Sequence, residues 1–178
     1  MNRPSAPPFF ILTGPPGSGK TSLLEALSDK VSTAPEAARR VLAQQRASGG
    51  TATGEQDPEA FIARMWQMMK ADYDAASGLT LFDRGLPDLR AFCAYYDVPD
   101  AEIRAAIKTM RYQPLVFFLP AWLDIYQSDE ERRLDFAGAA AFGERTRQAY
   151  SRSGYVILEV PKTSVVDRRA FILDHLDV

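Results

Sequence analysis

The order of apolar runs and amphipathic stretches predicts an α/β fold: a doubly wound parallel sheet with helices on both faces. Three observations carry this. Short apolar runs alternate with segments of helical period along the chain. The first run ends in a glycine-rich loop that leads straight into a helix. The polar residues capable of chemistry fall just after the runs, where ligands bind in such sheets.

Phe9–Leu12 is apolar and closes at Thr13-Gly14, short as a buried parallel strand is. Leu23, Leu24 and Leu27 then recur at helical spacing. A weak second strand reads over Val31–Ala34, and a helix starts near Pro35-Glu36 and runs through AARRVLAQQR. ASGGTATGEQ, residues 47–56, has the composition of a flexible loop. Asp57-Pro58 reads as an N-cap and first-turn proline opening a long helix, which Ser77-Gly78 ends. LTLF is the third strand, with Asp83-Arg84-Gly85 at its C-terminal end. Two helices follow, PDLRAFCAYY and PDAEIRAAIKTM, and PLVFFLP is the fourth strand. A long helical region with an arginine-bearing turn leads to YVILEV, the fifth strand, and SVVDRRAFILDHL is the last helix.

The chain of 178 residues suits one domain. Residues 1–8, MNRPSAPP, read as a flexible N-terminal arm, and residues 9–178 as a single domain. Apolar residues make up 46% and charged residues 25%, ordinary globular usage. Net charge is −2 without a run of five like charges, so no nucleic-acid partner is expected. No stretch approaches 18 apolar residues, so no membrane insertion is expected. The single cysteine, Cys93, excludes an internal disulfide and fits a reducing, cytoplasmic setting; inside LRAFCAYY it reads as a packed apolar residue. Oligomeric state is open, a homodimer included.

GPPGSGKT matches G-x-x-x-x-G-K-[ST] at Gly14, Gly19, Lys20 and Thr21. The glycines let backbone N–H groups turn inward around phosphates without a Cβ clash. The helix that follows aims its positive end at the same anion. Gly14, Pro15, Pro16, Gly17, Ser18, Gly19, Lys20, Thr21 and Ser22 therefore form the expected nucleotide site. Lys20 reaches the β- and γ-phosphates and the Thr21 hydroxyl holds Mg²⁺. ATP is the default nucleotide, because no base-reading motif stands out.

Asp83 ends a strand, where an acid can hold a Mg²⁺-bound water or accept a proton from an acceptor hydroxyl. Arg84 beside it can clamp a substrate; D-R-G is also a common turn. Glu36 follows the second strand and faces either an acceptor pocket or only its own helix dipole. Arg39, one turn later, is either an i,i+3 surface partner of Glu36 or a second pocket residue. In QSDEERRLDF, Arg132 and Arg133 lie where a lid would close on the transferring phosphoryl; as an isolated pattern they read as a solvated helix face.

TGPPGSGKT, PEAAR, FDRGLPD, PAWLDIYQSDEERRLDF and EVPKTSVVDR occur in that order over roughly Phe9 to Leu176. In them the chain resembles small AAA-type ATPase domains related to the nicotinamide riboside kinase domain, within the thymidylate-kinase-like P-loop class. The resemblance implies a P-loop NTPase fold with strand order 2-3-1-4-5. It also implies Glu36 and Asp83 around an acceptor site and Arg132 in a lid. Residues and resemblance together lead to the expectation of an ATP- and Mg²⁺-dependent phosphotransferase acting on a small hydroxyl-bearing acceptor, nucleoside- or nucleotide-like. Lys20, Asp83, Glu36 and Arg132 are its catalytic candidates; Glu36, Arg39, Asp83, Arg84 and Arg133 its substrate contacts; Thr21 and Asp83 its metal residues. The alternative is an ATPase or GTPase switch that binds a protein or lipid partner and transfers no phosphate.

Overall fold

The computed structural model describes residues 6–126 and 134–176. Five strands, β1 (Phe9–Thr13), β2 (Ser32–Ala34), β3 (Thr80–Asp83), β4 (Leu115–Phe118) and β5 (Val156–Glu159), alternate with seven helices among the described residues. The helices are α1 (Lys20–Leu27), α2 (Ala37–Ser48), α3 (Pro58–Ala75), α4 (Leu86–Tyr96), α5 (Ala101–Thr109), α6 (Phe136–Arg152) and α7 (Val165–Leu176). A short 3-10 turn spans Leu123–Ile125.

The strands form one parallel sheet in the order β2-β3-β1-β4-β5, the order the resemblance implies. Successive side chains of a strand point to opposite faces, and both faces are covered. Ile11, Phe82 and Val116 pack with Val41, Phe61, Met65, Leu89 and Ile107. Leu12, Leu81 and Phe117 pack on the other face with Leu23 and Leu27 of α1 and Ile172 of α7. Helices therefore lie on both sides of a central β1 that is apolar along its length because neither face meets water.

Register is what positions the site. Leu12 lies beside Asp83, Thr13 beside Phe118, and Ala34 beside Phe82. The C-terminal ends of β2, β3 and β1 thus step forward by one residue each along the same edge. The segments that leave them, beginning Pro35-Glu36, Arg84-Gly85 and Gly14-Pro15, meet at one edge.

Several details differ from the sequence expectation. β3 extends through Asp83, so that acid is a strand residue and not part of the turn. α2 begins at Ala37, with Glu36 as its N-cap residue. The stretch that reads as a flexible loop is internally bonded. Buried Gln45 on α2 accepts the Ala52 N–H through Oε1 at 3.1 Å, and its carbonyl accepts the Gly50 N–H at 2.9 Å. Loop composition conceals this because the organising side chain lies outside the loop. Asp57 caps α3 as expected, accepting the Ala60 N–H at 3.0 Å. Cys93 is buried in the core, and burial raises its thiol to about 11. Next to the strands, the Pro8 carbonyl accepts the Thr80 N–H, and those of Ala6 and Pro7 accept Gln113 Nε2. Among the described residues, no helix is long and apolar enough to cross a membrane.

Leu12 has no exposed surface and sits at the centre of the α1–α7 face. Leu12→Ala is expected to lower unfolding free energy by about 2–5 kcal/mol in urea denaturation, the range for a leucine deleted from a packed core.

Candidate functional site

The phosphate-binding loop leaves β1 with backbone angles that require glycine. Gly14 has φ +146°, and a Cβ there would lie 2.3 Å from the Leu119 carbonyl oxygen. Gly19, at φ +85°, is the N-cap residue of α1 and offers no side chain to the helix's first N–H groups. No acidic residue stands in that first turn, so the helix end is free for an external anion. Lys20 is 5% exposed, and its ammonium donates to the carbonyls of Gly14 at 3.1 Å and Pro15 at 2.8 Å. Thr21 and Ser22, in the same turn, are exposed. The Ser18 hydroxyl is buried without a partner.

Beside the loop lies a nearly dry cluster of charges. Arg84 has a left-handed backbone, φ +74°, and is 6% exposed. Its Nε donates to Glu36 Oε1 at 2.8 Å, and Nη1 donates to the Gly14 carbonyl and to Asp88 Oδ1, each at 3.0 Å. Glu36 Oε2 accepts from Arg39 Nε at 3.1 Å. Asp83 Oδ1 is buried and unpartnered.

The protonation pattern follows from this packing. Burial alone would raise the Glu36 carboxyl, but Arg84, Lys20 and Arg39 outweigh it and bring its pKa down to about 2. Asp83 goes the other way: burial and the nearby Glu36 charge raise it to about 6, against the pull of Lys20 and Arg84. Burial and the Arg84 charge lower Lys20 to about 8. Burial would lower Arg84, yet Glu36, Asp88 and Asp83 hold its proton still more firmly than usual. Arg84 and Arg39 pair with Glu36, and Arg84 also with Asp88, whereas Asp83 has no cationic hydrogen-bond partner and is left to burial and to the Glu36 charge.

A cavity of about 760 Å³ opens from this cluster, with Pro16 of the loop and Glu36, Arg39 and Arg84 at one end. Its walls are aromatic, with Phe61, Phe92, Tyr95, Tyr96 and Phe142 among them, and the folded loop of residues 49–56 forms one side. The Phe92 and Tyr96 rings lie 6.4 Å apart at 11°, and Phe61 meets both edge-on. Glu36, Arg39 and Arg84 thus converge on one pocket beside the loop. Asp83 sits next to the loop behind them and does not line the cavity. Arg132 and Arg133 lie outside the described residues.

Sequence reading missed four buried polar residues. Thr13 and Tyr150 hydrogen-bond to Asp88, which lies within the quoted FDRGLPD. Arg168, 5% exposed, lays its guanidinium 5.6 Å from the Trp122 ring and against the Ser18 carbonyl, leaving Nε buried and unpartnered. Asp88 had a signal, its spacing of one helical turn from Arg84; Tyr150 had none. At the start of α7, Ser164 Oγ accepts the Asp167 N–H at 3.1 Å and donates to Asp167 Oδ2 at 2.7 Å.

A parallel 2-3-1-4-5 sheet with this loop after β1 defines a P-loop NTPase of kinase-like fold. Within that class, the chain belongs to the AAA domain family, whose model matches residues 9–168. No curated protein matches it. Solved structures similar in fold include deoxyadenosine kinase from M. mycoides with products bound: TM-score 0.64, 12% identity, 95% of this chain and 98% of that one. NadR in complex with NAD and AMP-PNP has a TM-score of 0.66 at 16% identity, covering 98% of this chain and 50% of that one. Shikimate kinase from Acinetobacter baumannii, in complex with shikimate, has a TM-score of 0.60 at 16% identity, covering 96% and 94%. The chain spans about half the length of the NadR chain, and at these identities the likeness concerns the fold.

Two opposed titrations are expected. Asp83, raised from 3.8 to about 6, favours folding when protonated, so its contribution falls as pH rises from 3.8 through 6. Glu36, lowered from 4.5 to about 2, stabilises above 4.5 and loses that contribution as pH falls to 2. Carboxyl-carbon NMR of the ligand-free protein should give Asp83 an inflection near pH 6 that disappears in Asp83→Asn. An inflection below pH 4 would contradict the burial and the Glu36 repulsion that raise it.

Proposed function

We propose that the protein is an ATP- and Mg²⁺-dependent phosphotransferase that moves the γ-phosphoryl group of ATP to the hydroxyl of a small, ring-bearing acceptor, nucleoside- or nucleotide-like. One observation carries the reading: the cavity lined by Glu36, Arg39 and Arg84 opens directly onto Pro16 of the phosphate loop. A nucleotide switch needs no cavity at that point, whereas a transferase needs a place for the acceptor. The aromatic walls suit a flat ring, and the fold is shared with kinases of small molecules.

The residues fit a magnesium nucleotide. The uncapped start of α1 and the loop glycines suit the phosphates. Lys20 exchanges its loop carbonyls for β- and γ-phosphate oxygens. The Thr21 hydroxyl and Asp83 are the residues that would hold Mg²⁺, which when bound neutralises charge on the β- and γ-phosphates. Glu36 accepts a hydrogen bond from the acceptor hydroxyl and aims its oxygen at the γ-phosphorus. The bond from the γ-phosphorus to the β-bridging oxygen breaks as the new O–P bond forms. The hydroxyl proton passes to Glu36, the carboxylate that lines the cavity. Lowered to about 2, Glu36 is a weak base, so its contribution is orientation, which suits a reaction in which positioning outweighs proton removal. Arg39 and Arg84 hold Glu36 and face the acceptor. Arg132 and Arg133 remain proposed for a lid over the transferring phosphoryl.

The test is ADP release measured against a panel of nucleosides, nucleoside monophosphates and other small alcohols. One acceptor class should stimulate turnover at least about tenfold over hydrolysis. Stimulation by a protein partner but by no small molecule would sink the reading. Asp83→Asn should lower transfer by about 10²-fold or more while nucleotide binding persists. Lys20→Ala should weaken nucleotide binding itself.

A further inference from the structure

Asp88 is the third residue of α4 and is 1% exposed. An acid at this position ordinarily returns one oxygen to the N–H that precedes the helix, and Oδ2 does accept from Gly85 N at 2.9 Å. Its other bonds exceed what a cap requires. Oδ1 accepts from Thr13 Oγ1 at 2.6 Å and from Arg84 Nη1 at 3.0 Å. Oδ2 also accepts from the Tyr150 hydroxyl, whose oxygen takes a second bond from Gly85 N at 3.1 Å. Four donors use the accepting capacity of one carboxylate in full.

These bonds surround the one residue of the site whose backbone is strained. A non-glycine residue at φ +74° persists only where its surroundings over-determine it. The Arg84 guanidinium has three hydrogen-bond partners: Glu36, the Gly14 carbonyl and Asp88. Glu36 and Gly14 belong to the two segments that Arg84 ties together. Asp88 is the partner behind, anchored on β1 through Thr13 and on α6 through Tyr150. Tyr150 is fully buried, two helical turns along α6 from Phe142 of the cavity wall.

We infer that Asp88, backed by Tyr150, is a positioning residue. It fixes the Arg84 guanidinium, and through it the Glu36 carboxylate, at the phosphate-loop end of the cavity, and it couples that geometry to α6. The inference rests on the proposed reading that Glu36 and Arg84 face the acceptor.

The primary test needs no turnover. In ¹⁵N-labelled protein, the Arg84 Nε–H signal, assigned by its loss in Arg84→Lys, should exchange with water at least about tenfold more slowly than that of half-exposed Arg39. Asp88→Asn keeps the shape of the side chain and removes its charge. It should raise the Arg84 exchange rate about tenfold while ADP affinity stays within about threefold. Unchanged Arg84 exchange in a folded Asp88→Asn protein, even with a lowered melting temperature, overturns the inference and leaves Asp88 a cap. If that variant does not fold, Tyr150→Phe decides on the same readout: faster Arg84 exchange supports the pair, and unchanged exchange overturns it. A kinetic cycle with a working acceptor is the second test. Asp88→Asn should lower kcat/KM for the acceptor about tenfold, hold the KM for ATP, and add nothing in an Arg84→Lys background. An equal loss in both backgrounds overturns the inference. Absence of any phosphorylated acceptor would remove the proposed reaction, while the exchange measurement would still judge Asp88.

Discussion

The site is organised around one buried guanidinium. Arg84 ties the carbonyl that begins the phosphate loop to the carboxylate that begins α2, with a third contact to α4. Arg84 is largely buried, and removing one partner of a buried ion pair typically costs about 3–5 kcal/mol. The loop, the Glu36 segment and α4 share a single hub. The left-handed backbone at Arg84 belongs to the same constraint, because it turns the side chain back toward the loop as β3 ends.

The charges around this hub are paired unevenly. Glu36 takes hydrogen bonds from Arg84 and Arg39, and Asp88 takes one from Arg84. Asp83 has no such partner, and burial pushes it toward the neutral form. The resulting carboxyl is poised beside the phosphate loop. Its charge would be restored by a cation arriving with a nucleotide. Lys20, folded back onto loop carbonyls, is held ready on the opposite side.

Sheet register converts separate sequence motifs into this assembly. Leu12 pairs with Asp83 and Ala34 with Phe82, so three strands end within two residues of one another and release their loops toward one edge. The loop of residues 49–56 shows the same principle at smaller scale. Its glycines and threonines carry no signal of order, yet Gln45 supplies two acceptors from the preceding helix and turns it into a cavity wall.

By itself the sequence determined the alternation of strands and helices, the phosphate loop with Lys20 and Thr21, and the acids and arginines that follow the strands. These are legible because helical period, strand period and glycine demand are local properties written in consecutive residues. It also carried Asp88, inside a quoted motif, without revealing its part. Only the tertiary structure decided that Glu36 lines a cavity while Asp83 does not, that Asp83 is a strand residue with a raised pKa, and that aromatic residues from three helices line one cavity. Tyr150, 62 residues from Asp88, could not be read at all. Burial, ionisation and pocket shape depend on which distant residues the register and helix packing bring within a few ångströms, and no spacing along the chain encodes that.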